Sequence, residues 1–400
     1  MNSTPMDIPD ARTTVGFEPP RRIRAFPSYP LAHIPRVKAR LLAEGRSVLD
    51  LGVGDPGLPV PEVAVEELAR AAADPSLQRY GFQRGLPAFR TAVSEWMEER
   101  FGVRVDAERE LLPLIGSKEG IAHLAFAALD PGDTALVPDP CYAAYFGGSL
   151  LAGAEVVRVP LRREDGFLVP PEVIRSAPGR LRLVYLNYPN NPTTAVADAP
   201  YLADVVAACR DRGAILVYDN AYSEIAFDGF RPPGLLEVEG GREIGVEFHS
   251  FSKTYNMTGW RLGWMCGSEA IVRALTRIKT FFDTGTYLPI QAAGVAVLRA
   301  AARFIPRNVE RLRERRDAAM TALSRIGLDV DVPRATLYLW ILVPTPDTAE
   351  DFCRRVLERA GVVLMPGSAM GRGGEGYVRA ALTLPPDRYE EAADRIASAL

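Results

Sequence analysis

Lysine, serine, arginine and glycine within one short stretch could together do covalent chemistry on a phosphorylated carbonyl compound. The stretch is Ser250 to Gly267, Ser-Phe-Ser-Lys-Thr-Tyr-Asn-Met-Thr-Gly-Trp-Arg-Leu-Gly-Trp-Met-Cys-Gly. An apolar run with strand character, Val246 to Phe251, leads into it, and a second run, Leu262 to Cys266, leaves it. Lys253 therefore stands at a strand end, where partial withdrawal from water suits an amine for attack on a carbonyl. Ser250, Ser252 and Arg261 offer two hydroxyls and a guanidinium to a phosphate. Lysine is scarce: Lys38, Lys118, Lys253 and Lys279 are the only four, and arginine supplies the rest of the positive charge. A chain that uses arginine by default and lysine here keeps an amine able to lose its proton, which a guanidinium does not readily do.

Further motifs carry complementary chemistry. Gly116-Ser117-Lys118-Glu119-Gly120 lies between a strand-like run and an alanine-rich helix, where free first-turn amides and the helix dipole attract an anion. Asn187-Tyr188-Pro189-Asn190-Asn191-Pro192-Thr193-Thr194 holds polar side chains rigid between prolines, suited to hydrogen bonding a ring substituent. Asp219, in Asp219-Asn220-Ala221-Tyr222, closes an apolar run, and a carboxylate there would keep a pyridine nitrogen protonated. Tyr222 could hydrogen-bond a phenolic oxygen on that ring, and Tyr142 could stack on its face. Arg379, in Gly376-Tyr377-Val378-Arg379, suits bidentate capture of a carboxylate. The lysine, the phosphate ligands and the glycine turn together suggest pyridoxal 5'-phosphate, whose aldehyde needs an amine and whose phosphate needs an anchor.

The elements that must position these residues are legible as alternating patterns. Strand-like runs occur at Leu111–Ile115, Ala135–Pro138, Glu155–Val159, Leu181–Leu186, Ala214–Tyr218, Val246–Phe251 and Leu262–Cys266. Helical segments lie between them, for example Glu119–Ala128, Tyr142–Ala152, Pro171–Ser176 and Leu202–Arg212. Near-continuous apolar strands alternating with helices predict a mostly parallel sheet covered on both faces, with ligands at the C-terminal strand ends. Before this region come a proline-bearing arm, a helix from about Leu31 to Glu44, a short strand Ser47–Leu51, the loop Gly52–Pro61, a helix to about Ala73, and a helix Leu86–Phe101. After it, helical patterns cover the stretch to Thr280, Gln291–Phe304 and Arg307–Ile326. The tail reads strand, helix, strand, strand, helix: Thr336–Val343, Thr348–Ala360, Val362–Met365, Tyr377–Leu382 and from about Pro386.

Composition bounds the remainder. Four hundred residues with 48% apolar content are enough for one large and one smaller domain, and a net charge of −3 gives no electrostatic case for nucleic acid or an anionic membrane. No uninterrupted apolar run reaches the roughly 20 residues of a membrane span. Met1 to Pro20 lacks the basic-then-apolar order of a signal peptide. Cys141, Cys209, Cys266 and Cys353 are far apart, as in a reduced cytoplasmic protein.

In their joint order these motifs resemble the fold type I pyridoxal 5'-phosphate-dependent aminotransferases of class I/II, from about Arg22 onward. The resemblance implies an α/β fold: a three-layer α/β/α large domain with a mostly parallel mixed sheet over residues 46–290. It also implies an N-terminal arm and helix at 1–45 and a small α+β domain at 291–400, completed by the N-terminal segment. Lys253 would be the Schiff-base lysine, and Asp219 the partner of the ring nitrogen. Asn191 and Tyr222 would hold the ring oxygen, and Tyr142 would stack on the ring. Ser117, Lys118, Ser250, Ser252 and Arg261 would hold the phosphate, with Tyr80 reaching in from a second subunit. Gly54 (through its backbone), Asn191 and Arg379 would contact the substrate, Gly54 and Arg379 at its α-carboxylate. An obligate homodimer acting on an amino acid and a 2-oxo acid, with no metal, follows from the same resemblance.

Within that family the chain is similar to the LL-diaminopimelate aminotransferase group. The phrases are Leu51-Gly52-Val53-Gly54-Asp55-Pro56, Gly116 to His123, Ala221 to Phe227, Phe248 to Arg261 and Ala335 to Trp340. Departures fall where substrates are read. Thr194 stands where glycine is usual, Cys141 where glycine is common, and Phe82-Gln83-Arg84 has no acidic residue to meet a distal ammonium. Phe82, Phe281, Phe282 and Tyr287 would favour an apolar or aromatic substrate instead. A lyase would use the same anchors, whereas a cofactor-binding regulator would need a DNA-binding appendage that the roughly 45 residues before the first motif do not suggest.

Overall fold

Seven strands lie side by side with helices on both faces. This computed structural model describes residues 16, 18–26, 33–344 and 346–400, with backbone only for His33. The expected arm over residues 1–15, 17 and 27–32, including the helix start at Leu31, lies outside the described residues.

The strands are β1 (Leu49–Asp50), β2 (Leu111–Leu114), β3 (Thr134–Asp139), β4 (Glu155–Pro160), β5 (Leu181–Leu186) and β6 (Ile215–Asp219). They continue with β7 (Gly245–Ser250), β8 (Gly263–Gly267), β9 (Tyr338–Leu342), β10 (Val362–Val363), β11 (Met365–Pro366) and β12 (Tyr377–Ala381). The large sheet has the order β2-β8-β7-β6-β5-β3-β4. Strand β8 runs antiparallel to both its neighbours, and the other pairings are parallel. This is the expected mostly parallel mixed sheet.

Alternation along single strands divides two cores. Leu183 and Tyr185 of β5 face one, with Ile121 and Leu124 of the helix Ser117–Ala128 and Val272 of the helix Glu269–Lys279. Val184 and Leu186 face the other, with Phe89 and Trp96 of the helix Pro87–Phe101 and Val205 of the helix Ala199–Arg212. Successive side chains of a strand point to opposite faces, so a strand covered on both sides must be apolar throughout. A third core gathers around β9 and β12, including Phe352, Val356, Leu337 and Ile396.

The differences from the sequence expectation are local. Gln291–Phe304 and Arg307–Ile326 are not two helices but one, Leu288–Arg325, with Pro306 inside it. Val297 and Leu298 pack in the core over the large sheet, while Leu312, Ala319 and Leu323 pack around β9 and β12. Packing at both ends outweighs the roughly 3 kcal/mol that an interior proline costs. This helix is long and apolar enough to cross a bilayer, but half of its most apolar stretch is buried inside the fold. The run Val362–Met365 divides between two sheets, β10 pairing in parallel with β1 and β11 antiparallel with β12. The strand expected at Ser47–Leu51 is only Leu49–Asp50.

Candidate active site

The polar side chains converge where the parallel strands end. Asp219 is the last residue of β6 and Ser250 the last of β7, while Asn187 follows β5 directly. Ser250 caps the short helix Phe251–Thr254, its hydroxyl accepting from the Ser252 amide at 3.2 Å. Buried Phe251 anchors that turn, with ring centres 5.9 Å from Phe89 and 4.8 Å from Tyr255. Lys253 projects from it half-buried and donates to the carbonyl of Gly54. A Cβ at Gly54 would lie 2.4 Å from the Tyr338 hydroxyl, so only glycine brings that carbonyl so close.

Asp219 is 5% exposed. Tyr145 donates to its Oδ2 at 2.7 Å, and Oδ1 is buried with no hydrogen-bond partner among the described residues. Burial pushes this carboxyl up to about 6, against the opposing pull of the Tyr145 hydroxyl, the Ala221 amide and His249. Asn187 ties the strand end to the next loop: its amide donates to the Asp219 carbonyl at 2.7 Å, and its oxygen accepts from the Asn191 amide at 2.8 Å.

Arg379 lies on β12 opposite Trp340 of β9. Its guanidinium donates to Asn191 Oδ1 at 2.7 Å and to the Gly52 carbonyl at 2.9 Å, while its Nε is buried without a partner among the described residues. No carboxylate neutralises it in these contacts. Tyr222 is buried, with its hydroxyl 3.1 Å from that of Tyr338. Burial, then Tyr338 and Asp219, push its phenol well above the ordinary value.

A second cluster surrounds the start of the helix Ser117–Ala128. Arg261 donates to Ser252 Oγ at 3.3 Å and to the Thr258 carbonyl at 2.7 Å. A Cβ at Gly116 would lie 2.4 Å from Arg261 Nη2, so the guanidinium rests against the residue before Ser117. Unpaired first-turn amides and this guanidinium form an anion cradle. Lys118 is exposed, with its ammonium 5.5 Å from the centre of the Tyr142 ring. Burial raises the Tyr142 phenol to about 12, with Asp219 adding to the shift and Arg261 opposing it.

Asn187 and Asn191 thus link the Asp219 backbone to Arg379, Tyr338 links Arg379 to Tyr222 and to Gly54 beside Lys253, and Ser250, Ser252, Arg261 and the Gly116–Ser117 turn form a neighbouring group. Tyr80 joins neither: it is 74% exposed, and its ring contact is with Phe82, 6.1 Å away. Sequence reasoning missed Tyr145, Tyr338 and the carbonyl of Gly52. Tyr145 had a signal, lying three residues after Tyr142 within one expected helix.

Comparison with known proteins gives concordant results. The family description "Aminotransferase class I and II" matches residues 46–396. An LL-diaminopimelate aminotransferase of Desulforudis audaxviator is 46% identical over 391 residues, covering 96% of this chain and 99% of that protein. A solved structure of a probable N-succinyldiaminopimelate aminotransferase from Thermus thermophilus superposes with a TM-score of 0.87 at 37% identity, over 93% of this chain and 100% of that one. Substrate-bound BacF from Bacillus subtilis gives 0.89 at 32% identity, over 96% and 98% of the two chains.

Proposed function

The chain belongs to the class I and II aminotransferases, and from that premise we propose that it exchanges an amino group between LL-diaminopimelate and a 2-oxo acid at the Lys253–Asp219–Arg379 site. It is a pyridoxal 5'-phosphate-dependent transferase. The observation that carries the site assignment is the Oδ1 atom of Asp219, buried and unpartnered in the same network as Lys253 and Arg379. Such an atom fits a protonated ring nitrogen. The Gly116–Ser117 cradle with Arg261, Ser250 and Ser252 fits a phosphate, and Lys118 would add charge at its edge.

When bound, the cofactor supplies an aldehyde that condenses with amines and a ring that withdraws electrons from the substrate α-carbon. The chain's own groups do the rest. Asp219 would hold the proton on the ring nitrogen, and Asn191 and Tyr222 would hold the ring oxygen. Tyr142 would cover one ring face and exclude water. Arg379 would take the α-carboxylate with two parallel donors, against the backbone of Gly54. Lys253 Nζ would remove the α-proton and return it, acting as general base and then acid. Donor and acceptor use one site in turn, so ping-pong kinetics are expected.

A homodimer completes the proposal. Tyr80, Phe82, Phe281, Phe282 and Tyr287 are 46% to 83% exposed, which supports a partner surface over them and Tyr80 reaching a second site. The division at about residues 45 and 290 and a cytoplasmic location belong to the same reading; the packing of Val37 and Leu41, on the helix His33–Ala43, with Leu357 and Val363 supports the N-terminal segment completing the small domain.

Those exposed aromatics also favour a second substrate reading, an apolar or aromatic amino acid, because Phe82-Gln83-Arg84 offers no carboxylate to a distal ammonium. Half-reaction spectra with diaminopimelate, glutamate, alanine and phenylalanine decide between the two. Fastest conversion with diaminopimelate supports the first reading, and fastest conversion with phenylalanine the second.

A further inference from the structure

We infer that Tyr338 is a positioning residue that joins the two halves of the site, its ring seating the Arg379 guanidinium and its hydroxyl setting Tyr222. The inference rests on the roles proposed above for Arg379 and Tyr222. Tyr338 opens β9 and is 1% exposed. Its register partner on β12 is Ala381, and that of Trp340 is Arg379. Positions two apart share a sheet face, so Tyr338 and Arg379 are diagonal neighbours on one side. The Arg379 Cζ atom lies 4.2 Å from the centre of the Tyr338 ring, near enough for the π-face to orient the cation.

The hydroxyl end of the same side chain meets two further groups. It lies 3.1 Å from the Tyr222 hydroxyl, the rings 5.7 Å apart and edge to face. It also fills the space beside Gly54 where a Cβ would stand, and the carbonyl of Gly54 holds Lys253 Nζ. One phenol therefore touches the backbone that receives the amine, the tyrosine assigned to the ring oxygen, and the arginine assigned to the carboxylate.

The titratable groups facing Tyr338 are Arg379 on β12, Lys253 on the turn after β7, Tyr222 after β6, Tyr142 after β3, and Asp55 on the loop after β1. Burial alone would raise its phenol. Arg379, then Lys253 and the Tyr222 hydrogen bond, hold it below the ordinary tyrosine value, while burial holds Tyr222 well above. The Tyr338 hydroxyl is one hydrogen-bond partner of Tyr222, and the ring oxygen would be the other.

Tyr338→Phe keeps the ring and removes the hydroxyl, whereas Tyr338→Met removes the ring and keeps apolar volume. Both are loaded with pyridoxal 5'-phosphate and titrated by visible absorbance without substrate. Tyr338→Phe is expected to shift the pH midpoint of the lysine-bound chromophore by about one unit, since Tyr222 loses a hydrogen-bond partner, with less than roughly twofold change in KM for the amino acid. Tyr338→Met is expected to raise that KM roughly fivefold, because Arg379 loses its seat. A wild-type chromophore together with an unmoved Tyr338→Phe midpoint overturns the role of Tyr338 alone, as does a Tyr338→Met variant altered in kcat but not in KM. A wild-type protein with no substrate-free chromophore overturns the underlying site assignment as well.

Discussion

Tyr145 donates its hydroxyl proton to one oxygen of Asp219 at 2.7 Å, and the other oxygen of that carboxylate is buried with no partner among the described residues. A half-satisfied buried carboxylate is destabilising unless a cation completes it. Function and stability therefore pull in opposite directions at this residue.

Asp219→Asn separates the two. The carboxyl titrates near 3.8 in an unfolded chain and at about 6 in the fold, so both states are neutral below pH 3.8 and no cost arises there. Between these values only the unfolded state ionises, and the folded apoprotein loses stability as pH rises, by about 3 kcal/mol once above pH 6. Calorimetry of cofactor-free protein is expected to show Asp219→Asn melting above wild type at pH 7 to 8, with the gap closing by about pH 4. Transamination falls roughly a hundredfold or more at the same time. Equal melting temperatures throughout that range would contradict the account.

Tyr145→Phe withdraws the one hydroxyl that steadies the ionised form of Asp219. The carboxyl then titrates still higher, so the acid limb of the kcat/KM profile moves to higher pH, and kcat falls roughly tenfold. A variant with an unchanged profile would show that this hydrogen bond is incidental.

Arg379→Gln removes both of the paired donors and leaves Asn191 and the Gly52 carbonyl without their cation. KM for both the amino acid and the 2-oxo acid is expected to rise roughly a hundredfold, with a smaller change in kcat. Arg379→Lys recovers little of this, because a point charge does not reproduce the planar fork.

Lys279 tests the packing behind the anion cradle. Its side chain is 0% exposed, and its ammonium bonds Glu119 at 2.5 Å and Asp283 at 2.8 Å, tying the first turn of the helix Ser117–Ala128 to the 281–287 loop. Lys279→Met leaves two carboxylates facing each other and is expected to lose about 3–5 kcal/mol of stability by denaturant unfolding. Adding Glu119→Gln is expected to restore part of it.

Much of the fold and of the candidate site is legible in the sequence because it is written locally. Strand runs such as Leu181–Leu186 are apolar at every position, since both faces are covered, and Lys253, Asp219 and Asn191 announce themselves by following such runs. Contacts made only by the tertiary fold cannot be read in this way. Tyr145 reaches Asp219 across 74 residues of sequence and Tyr338 reaches Tyr222 across 116, and apart from the spacing of Tyr145 from Tyr142 neither tyrosine differs in its local pattern from an ordinary core aromatic. Pro306 misleads for the same reason. Local propensity says stop, and two cores packed against the ends of one helix overrule it.

The central claim is that one amine, at position 253, forms the covalent link to the cofactor. Borohydride reduction of the holoprotein, followed by digestion and mass spectrometry, tests it most directly. A single modified peptide is expected, carrying the reduced cofactor on Lys253, and no such peptide from Lys253→Ala. Reduced cofactor on Lys38, Lys118 or Lys279 instead, or a Lys253→Ala protein that keeps both the label and near-wild-type transamination, would contradict it.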